Sequence, residues 1–332
     1  MKHRLLLFAL VAILSVWSSA CRETPSQAPT TPEESLKMLD AKLYKHPKDA
    51  ALLFERAQIY MQMNRVNEAI SDLTRAISID NSKIGYHLLL ADAHFANGDV
   101  EHAYSALRAA LELNPENEEA TLKMGEIAYY SRDYDRAMEC LSSVTAKDPN
   151  NRTALFMKAF IYKETGDTTN AVLLLRKVCD LYPDYDAAFE ELGILYASRL
   201  DPLALEYLST AIRINPQNTS ALYALAMYQQ DSKQYDKAEE LYKQILDINP
   251  NHKDAWHNRG YIQLFVYGDT EQAIEYLTRA LQCDPAFIEA LVNRGCAYEL
   301  EGNREKALAD YHAALDLDHT FQPAIDGVNR LK

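Results

Sequence analysis

Cys21 stands directly behind Ser18-Ser19-Ala20, at the end of a stretch that opens Met1-Lys2-His3-Arg4 and runs apolar from Leu5 to Trp17, interrupted once by Ser15. A basic start, a short apolar run and small residues before a cleavage point describe a secretory leader. The run falls short of the roughly 18 apolar residues a spanning helix needs. The other reactive side chains are scattered. Cys140, Cys179, Cys283 and Cys296 form no C-x-x-C pair, and three of them replace apolar residues in register, as buried small hydrophobes do. Cys283 and Cys296 could lie on neighbouring helices, but spacing does not show a bridge. Of nine histidines, His87 and His94 share a helical face with no third ligand beside them. No H-E-x-x-H, phosphate loop or G-x-S-x-G occurs. Adjacent acids such as Glu190-Glu191 and Glu239-Glu240 point in different directions from a helix. The expectation is a non-enzyme with no catalytic residue, no cofactor and no metal.

What would position any binding residue is a period. Alanine recurs at Ala69, Ala103, Ala137, Ala171, Ala204, Ala238, Ala273 and Ala307, in steps of 34 with one of 33 and one of 35. Twelve residues upstream in most units lies a second small residue: Ala57, Ala91, Gly125, Ala159, Gly193, Ala226, Gly260 and Gly295. Two antiparallel helices approach closely only where their facing positions carry little side chain. Proline closes six units, at Pro115, Pro149, Pro183, Pro216, Pro250 and Pro285, with Asn81 and His319 in its place in the first and last. Proline cannot continue a helix, so it separates one hairpin from the next. Turn residues such as Asn97-Gly98-Asp99 and Glu301-Gly302-Asn303 fall between the two helices. A repeat of this size marks a solenoid of stacked supersecondary units.

On these residues the chain resembles a tetratricopeptide repeat (TPR) protein, with eight repeats over 50–321; the clearest are Lys253–Phe287 and Ile288–Phe321. The resemblance implies an all-α fold, a right-handed TPR superhelix (α-solenoid) of eight helix-turn-helix repeats with N- and C-terminal capping helices. The unit Asp186–Asn218 is expected to lack one inter-helix residue and the Lys253 unit to carry one more. Ahead of the repeats, Thr31-Pro32-Glu33-Glu34 reads as a capping box opening a helix to about Lys45. The boundaries expected are a leader over 1–20, a tether over 21–32, a capping helix over 33–49 and a closing helix over 322–332.

Small residues followed by Cys21 resemble a bacterial lipobox, with Ser18 where an aliphatic is more usual. The resemblance implies a bacterial TPR lipoprotein with Cys21 lipidated (a palmitate-type anchor). Arg22 to Pro32, rich in Pro, Ser and Thr, then serves as an extended tether. By the same resemblance Arg22 is not the Asp that commonly retains lipoproteins in the inner membrane, so the expected location is the cell envelope, most consistent with the outer membrane, in either orientation. With 34 Lys and Arg against 48 Asp and Glu, the formal charge is −14. No basic face is available for nucleic acid; the acidity keeps a long exposed surface soluble.

In TPR families the first helix of each repeat lines the concave groove. One position after each small residue stand Gln58, Asp92, Glu126, Phe160, Ile194, Met227, Tyr261 and Cys296, acidic or polar at first and apolar later. An exposed apolar stripe over Phe160, Ile194, Met227 and Tyr261 suits a protein or peptide partner; the alternative is that packing covers it. Asn258 and Asn293, two before Gly260 and Gly295, resemble the asparagines with which some TPR proteins clamp a peptide backbone. The co-chaperone carboxylate clamp is not expected, since its places hold Phe54, Gln58, Leu89, Glu119 and Lys123. The implied role is a membrane-anchored scaffold in an envelope complex (pilus or secretion assembly, or cell-wall enzyme recruitment), the alternative a glycan- or peptide-capturing outer-membrane lipoprotein.

Overall fold

The marker alanines Ala69, Ala103, Ala137, Ala171, Ala204, Ala238, Ala273 and Ala307 all have no exposed surface. The computed structural model describes residues 31–332, every element of which is helical. They form two compact units, divided after Pro115. Cys21, the leader and most of the tether lie outside the described residues.

The first unit opens with α1 (Pro32–Lys45), whose capping box is made: Thr31 Oγ1 accepts from the Glu34 amide at 3.2 Å and Glu34 Oε2 accepts from the Thr31 amide at 2.9 Å. Two hairpins follow, α2 (Ala50–Gln62) with α3 (Val66–Ile79), and α4 (Ile84–Ala96) with α5 (Val100–Leu113). Leu43 of α1 packs with Leu53 of α2, Ala76 of α3 and Tyr86 of α4. Arg56 locks this end: its guanidinium grips Asp72 of α3 bidentately at 2.6 and 2.7 Å and donates to Asp40 of α1 at 2.6 Å. Two carboxylates raise the Arg56 pKa above its ordinary value, Asp72 contributing most.

The second unit holds six hairpins: α6 (Glu118–Tyr130) with α7 (Tyr134–Lys147), α8 (Arg152–Glu164) with α9 (Thr168–Leu181), and α10 (Asp186–Ala197) with α11 (Leu203–Ile214). Next come α12 (Thr219–Asp231) with α13 (Tyr235–Ile248), α14 (Lys253–Ile262) with α15 (Thr270–Cys283), and α16 (Ile288–Leu300) with α17 (Arg304–Leu317). Finally α18 (Gln322–Arg330) closes the end. There Arg330 grips Glu299 at 2.8 and 2.9 Å, and Gly327 lies so close that a Cβ would come within 2.5 Å of the Tyr311 ring. The small positions of the first helices explain themselves likewise. A Cβ on Gly193 or Gly260 would meet Leu208 or Leu277 Cγ at 2.6 Å.

The two irregular repeats are accommodated differently from the sequence expectation. In the short unit, the connection between α10 and α11 is long, and the missing residue comes out of the helices, each 12 residues against 13 and 14 in α12 and α13. Pro202 sets the start of α11 as its N-cap. In the long unit the extra residue is swallowed by a π-helical turn at Gln263–Tyr267 that continues α14, a single-turn π-bulge of the kind found within α-helices.

Helix ends also depend on more than proline. The C-cap residues Asp80, Asp148, Asn215, Asn249, Asp284 and Asp318 each accept the amide two residues on through a side-chain oxygen, at 2.8–3.2 Å. These Asx turns stop the helix independently. They explain why the first and last repeats end on schedule without proline: Ser82 and Thr320 add hydroxyl bonds of 2.6 Å to Asp80 and Asp318, which hold both carboxyls below their usual range.

Of the cysteines, Cys179 is buried as expected, Cys140 and Cys283 are only half-buried, and all four in the described residues are free thiols. Cys283 and Cys296 are therefore unbridged. No helix among the described residues is long and apolar enough to cross a membrane.

Candidate protein-interaction surface

The first helices of the second unit present two kinds of surface. On α6 and α8 a run of rings forms edge to face. Tyr130 meets Tyr129 at 5.3 Å between centroids, Tyr129 meets Phe160 at 6.4 Å, Phe160 meets Phe156 at 4.8 Å, and Phe156 meets Tyr185, at the entry to α10, at 5.0 Å. Rings four residues apart on one helix face share a side, so Phe156 and Phe160 meet along α8 while the repeat supplies their neighbours. All four contacts are T-shaped, a favoured geometry for ring quadrupoles. Cations flank the run: Arg152 lies 4.8 Å over Tyr185 and Lys163 lies 5.3 Å over Phe160. Lys163 is held there by Glu191 at 2.5 Å. Burial, then Glu164, pushes the Tyr129 hydroxyl up to about 12, so it stays a neutral donor. Tyr130 is 54% exposed and Phe160 half-buried; the run is open at one end.

The second surface is the π-helical turn. Tyr261, Phe265, Val266 and Tyr267 are all exposed, and the Tyr261 and Phe265 rings lie 4.8 Å apart. Tyr267 donates to Asp236 of the preceding repeat, and that bond raises its pKa to about 12. The insertion that lengthens this repeat thus turns apolar residues outward.

The expected stripe is not one continuous surface. Phe160 belongs to the aromatic run, and Tyr261, near the end of α14, to the exposed patch beside the π-helical turn. Ile194 between them is half-buried against the cluster around Ala204, Leu208 and Leu225. Met227 is half-buried as well, its sulfur accepting from Tyr242 Oη at 3.1 Å and Asn258 Nδ2 at 3.3 Å.

Asn258 differs most from expectation. It is 8% exposed, and its amide nitrogen also lies 3.1 Å from both Tyr223 and Tyr242 hydroxyls. Asn293, half-buried, does not reach outward either: its Nδ2 donates to His257 Nε2 at 2.9 Å. With that nitrogen accepting, His257 carries its proton on Nδ1 and donates to Asn258 Oδ1 at 3.2 Å. A neutral chain of bonds runs from α16 through α14 to α12 and α13, and burial lowers the His257 pKa to keep it neutral. The two asparagines are tied to one another through a histidine, with no backbone-clamping amide left free on Asn258. Position alone could not reveal this, since it depends on His257 being their intermediary.

Matches to known proteins follow the hairpins. The model for the cytochrome c-type biogenesis protein H TPR domain matches residues 86–189, and three tetratricopeptide repeat models match 50–83, 203–258 and 288–321. The chain belongs to the tetratricopeptide repeat proteins. It is 24% identical over 303 residues to mouse DnaJ homolog subfamily C member 7, covering 82% of this chain and 61% of that protein. With human mitochondrial import receptor subunit TOM70 it shares 23% identity, over 79% of this chain and 45% of that one. The chain thus spans only about half to three-fifths of these relatives. Among solved structures, a tetratricopeptide repeat protein from Parabacteroides merdae superposes with a TM-score of 0.53 at 18% identity, covering 76% of this chain and 99% of its own. The APC/C assembly Cut9–Hcn1 gives 0.55 at 17%, covering 92% and 60%. At these identities the likeness is one of fold.

Proposed function

We propose that this protein is a scaffold or adaptor that docks protein partners on the first-helix face of its second unit, tethered to a bacterial envelope membrane through Cys21. The observation that carries the docking half is the aromatic run Tyr130–Tyr129–Phe160–Phe156–Tyr185 with its flanking Arg152 and Lys163. Aromatic residues and arginine dominate the energetics of interface cores, and this set crosses three repeats where an extended or helical segment could lie along it. The family supplies geometry and a face rather than a reaction, and the relatives in DnaJ-type and import-receptor proteins agree with that class. The tethering half rests on the sequence pattern around Cys21 and the Pro/Ser/Thr-rich segment behind it. Outer-membrane attachment and a place in pilus, secretion or cell-wall assembly are parts of the same proposal.

Two experiments separate the halves. Cys21→Ser should move the full-length protein from the membrane to the soluble fraction of fractionated cells; unchanged retention rejects the anchor. Tyr130→Asp combined with Phe160→Asp should remove the partners recovered by in-cell crosslinking while leaving helicity intact by circular dichroism. Recovery of the same partners would reject this face. Tyr130→Asp alone tests the outermost ring with the smallest risk to folding.

A further inference from the structure

The hairpin α4–α5 in the first unit brings three metal-ligating side chains together. His94 ends α4, Asp99 is the N-cap of α5, and His102 sits in its first turn. Their ligand atoms all lie within 4.8 Å of one another. Asp99 Oδ2 is 2.7 Å from His102 Nδ1 and 3.6 Å from His94 Nδ1, and the two imidazoles stack with centroids 5.1 Å apart and planes 23° from parallel. Both rings therefore aim the same nitrogen at the same carboxylate oxygen.

The main chain holds this arrangement. The Asp99 amide donates to His94 O at 2.8 Å, and the His102 amide donates to Asp99 Oδ1 at 3.2 Å. One carboxylate oxygen is used as the helix cap, which leaves the other pointing between the rings. Gly98, at φ +79°, makes the turn that lets residue 99 fold back on residue 94. His94 Nδ1 is buried with no hydrogen-bond partner, and an unpartnered buried polar atom is costly enough to call for an explanation. At 3.6 Å the carboxylate is beyond hydrogen-bond reach of it.

We propose that His94, Asp99 and His102 form a binding site for a borderline divalent transition ion, zinc being the best match. Two imidazoles and one carboxylate are a recognised donor set for such ions, whereas hard ions such as magnesium and calcium prefer all-oxygen sites. Zinc bonds of about 2.0–2.2 Å place neighbouring ligand atoms about 3.3–3.6 Å apart in a tetrahedron. The pair already at 2.7 Å and the pair at 3.6 Å bracket that spacing. His102 is 70% exposed on its side chain and Asp99 35%, so an ion enters directly from solvent and water takes the fourth position. The ion would pin the end of α4 to the start of α5. Binding to the folded hairpin alone then adds to its stability by mass action.

The test is calorimetric titration of the full chain with zinc chloride, with cobalt(II) spectra reporting ligand type. One zinc per chain is expected, with tetrahedral cobalt bands free of thiolate charge transfer and a zinc-dependent rise in melting temperature. His102→Ala removes an exposed ring and should fold normally; its zinc affinity should fall by more than the about 10–100-fold typical of losing an outer-shell partner. Asp99→Asn keeps the capping oxygen and should weaken zinc comparably. Absence of a stoichiometric site, thiolate bands, or wild-type affinity in His102→Ala would each overturn the assignment.

Discussion

The two units are built on one frame and decorated differently. In both, the marker alanines are fully buried; where the small residue of the first helix is glycine, it packs against the residue four places past the marker, Leu141, Leu208, Leu277 or Tyr311. Around that frame the first unit places charge and metal-type ligands: Arg56 between Asp40 and Asp72, and the His94–Asp99–His102 cluster. The second unit places rings and neutral hydrogen bonds: the aromatic run over α6, α8 and the start of α10, and the Asn293–His257–Asn258 chain. What the difference teaches is that the repeat separates packing from chemistry. Positions that set interaxial distance are held to Ala or Gly, and the positions beside them are free to specialise.

An exception makes the point sharper. Arg56 and Asp72 in the first repeat recur as Arg294 and Asp310 in the last, at the same places in the frame and with the same bidentate geometry, 2.8 and 2.7 Å in the second case. Between them those places hold residues such as Leu90 with Ala106, and Leu192 with Tyr207. The ion pair therefore marks the repeats that meet the capping helices. Breaking it should give the largest effect of any single change here: Asp72→Ala or Asp310→Ala leaves a mostly buried guanidinium short of a partner and should cost about 3 kcal/mol. Replacing both partners by apolar residues of similar volume should cost far less. Urea unfolding of the single and double variants checks this, and equal costs would mean the charges do not act as a pair.

Next in size is an attack on the frame itself. Ala238→Leu inserts three carbons into a position with no exposed surface and should destabilise by about 1–3 kcal/mol through overpacking. Ala103→Leu should do the same in the first unit. If one were neutral and the other not, the claim of a shared frame would be lost.

A third change acts on the second unit by pH. Burial holds the His257 pKa below its unfolded value, so between the two values the unfolded chain binds more protons and stability rises with pH. The stabilising share is present in full above about pH 6.5 and is lost as pH falls toward the depressed value. Glu289 and Asp254 oppose the shift without overcoming burial. Melting curves from pH 7.5 to 5 should fall more steeply for the wild type than for His257→Gln; parallel curves would reject a neutral bridging histidine.

Much of this was legible in the sequence, and the reason is periodicity. The alanine register placed the helix pairs and the TPR fold because close helix approach tolerates few residue types. It misjudged what depends on side chains meeting across a turn or between repeats. Asn258 reads as a free amide until His257, Tyr223 and Tyr242 are seen around it. His94 pairs by helical spacing with His87, yet His87 is buried and bonded to the Asn81 carbonyl at 3.1 Å, while the turn delivers Asp99 and His102 instead. The pattern H-x4-D-x2-H across an Asn-Gly-Asp turn was the available signal. The extra residue near 265 was visible as a count, but whether it lengthened a loop or bulged a helix depended on where α14 was anchored.

The smallest effect concerns the hairpin turns, where the units share a backbone rather than a residue. Each turn between paired helices carries one left-handed residue. Gly98 supplies it in the first unit and Gly166, Gly268 and Gly302 in the second, yet Asn64, Arg132, Leu200 and Lys233 adopt positive φ at equivalent places. Glycine enters this region at no steric cost, whereas a residue with a Cβ is disfavoured there by roughly 1–2 kcal/mol. Leu200 has the least compensation, since its φ is +53° and half of its surface is exposed. Leu200→Gly relieves the strain but adds about 0.5–1 kcal/mol of unfolded-state entropy to be overcome. The balance should stabilise by about 0.5–1 kcal/mol, raising the melting temperature slightly. Asn64→Gly should gain less, because asparagine tolerates the left-handed region. A loss of stability in Leu200→Gly would show that the long connection before α11 owes its shape to leucine packing rather than to its backbone.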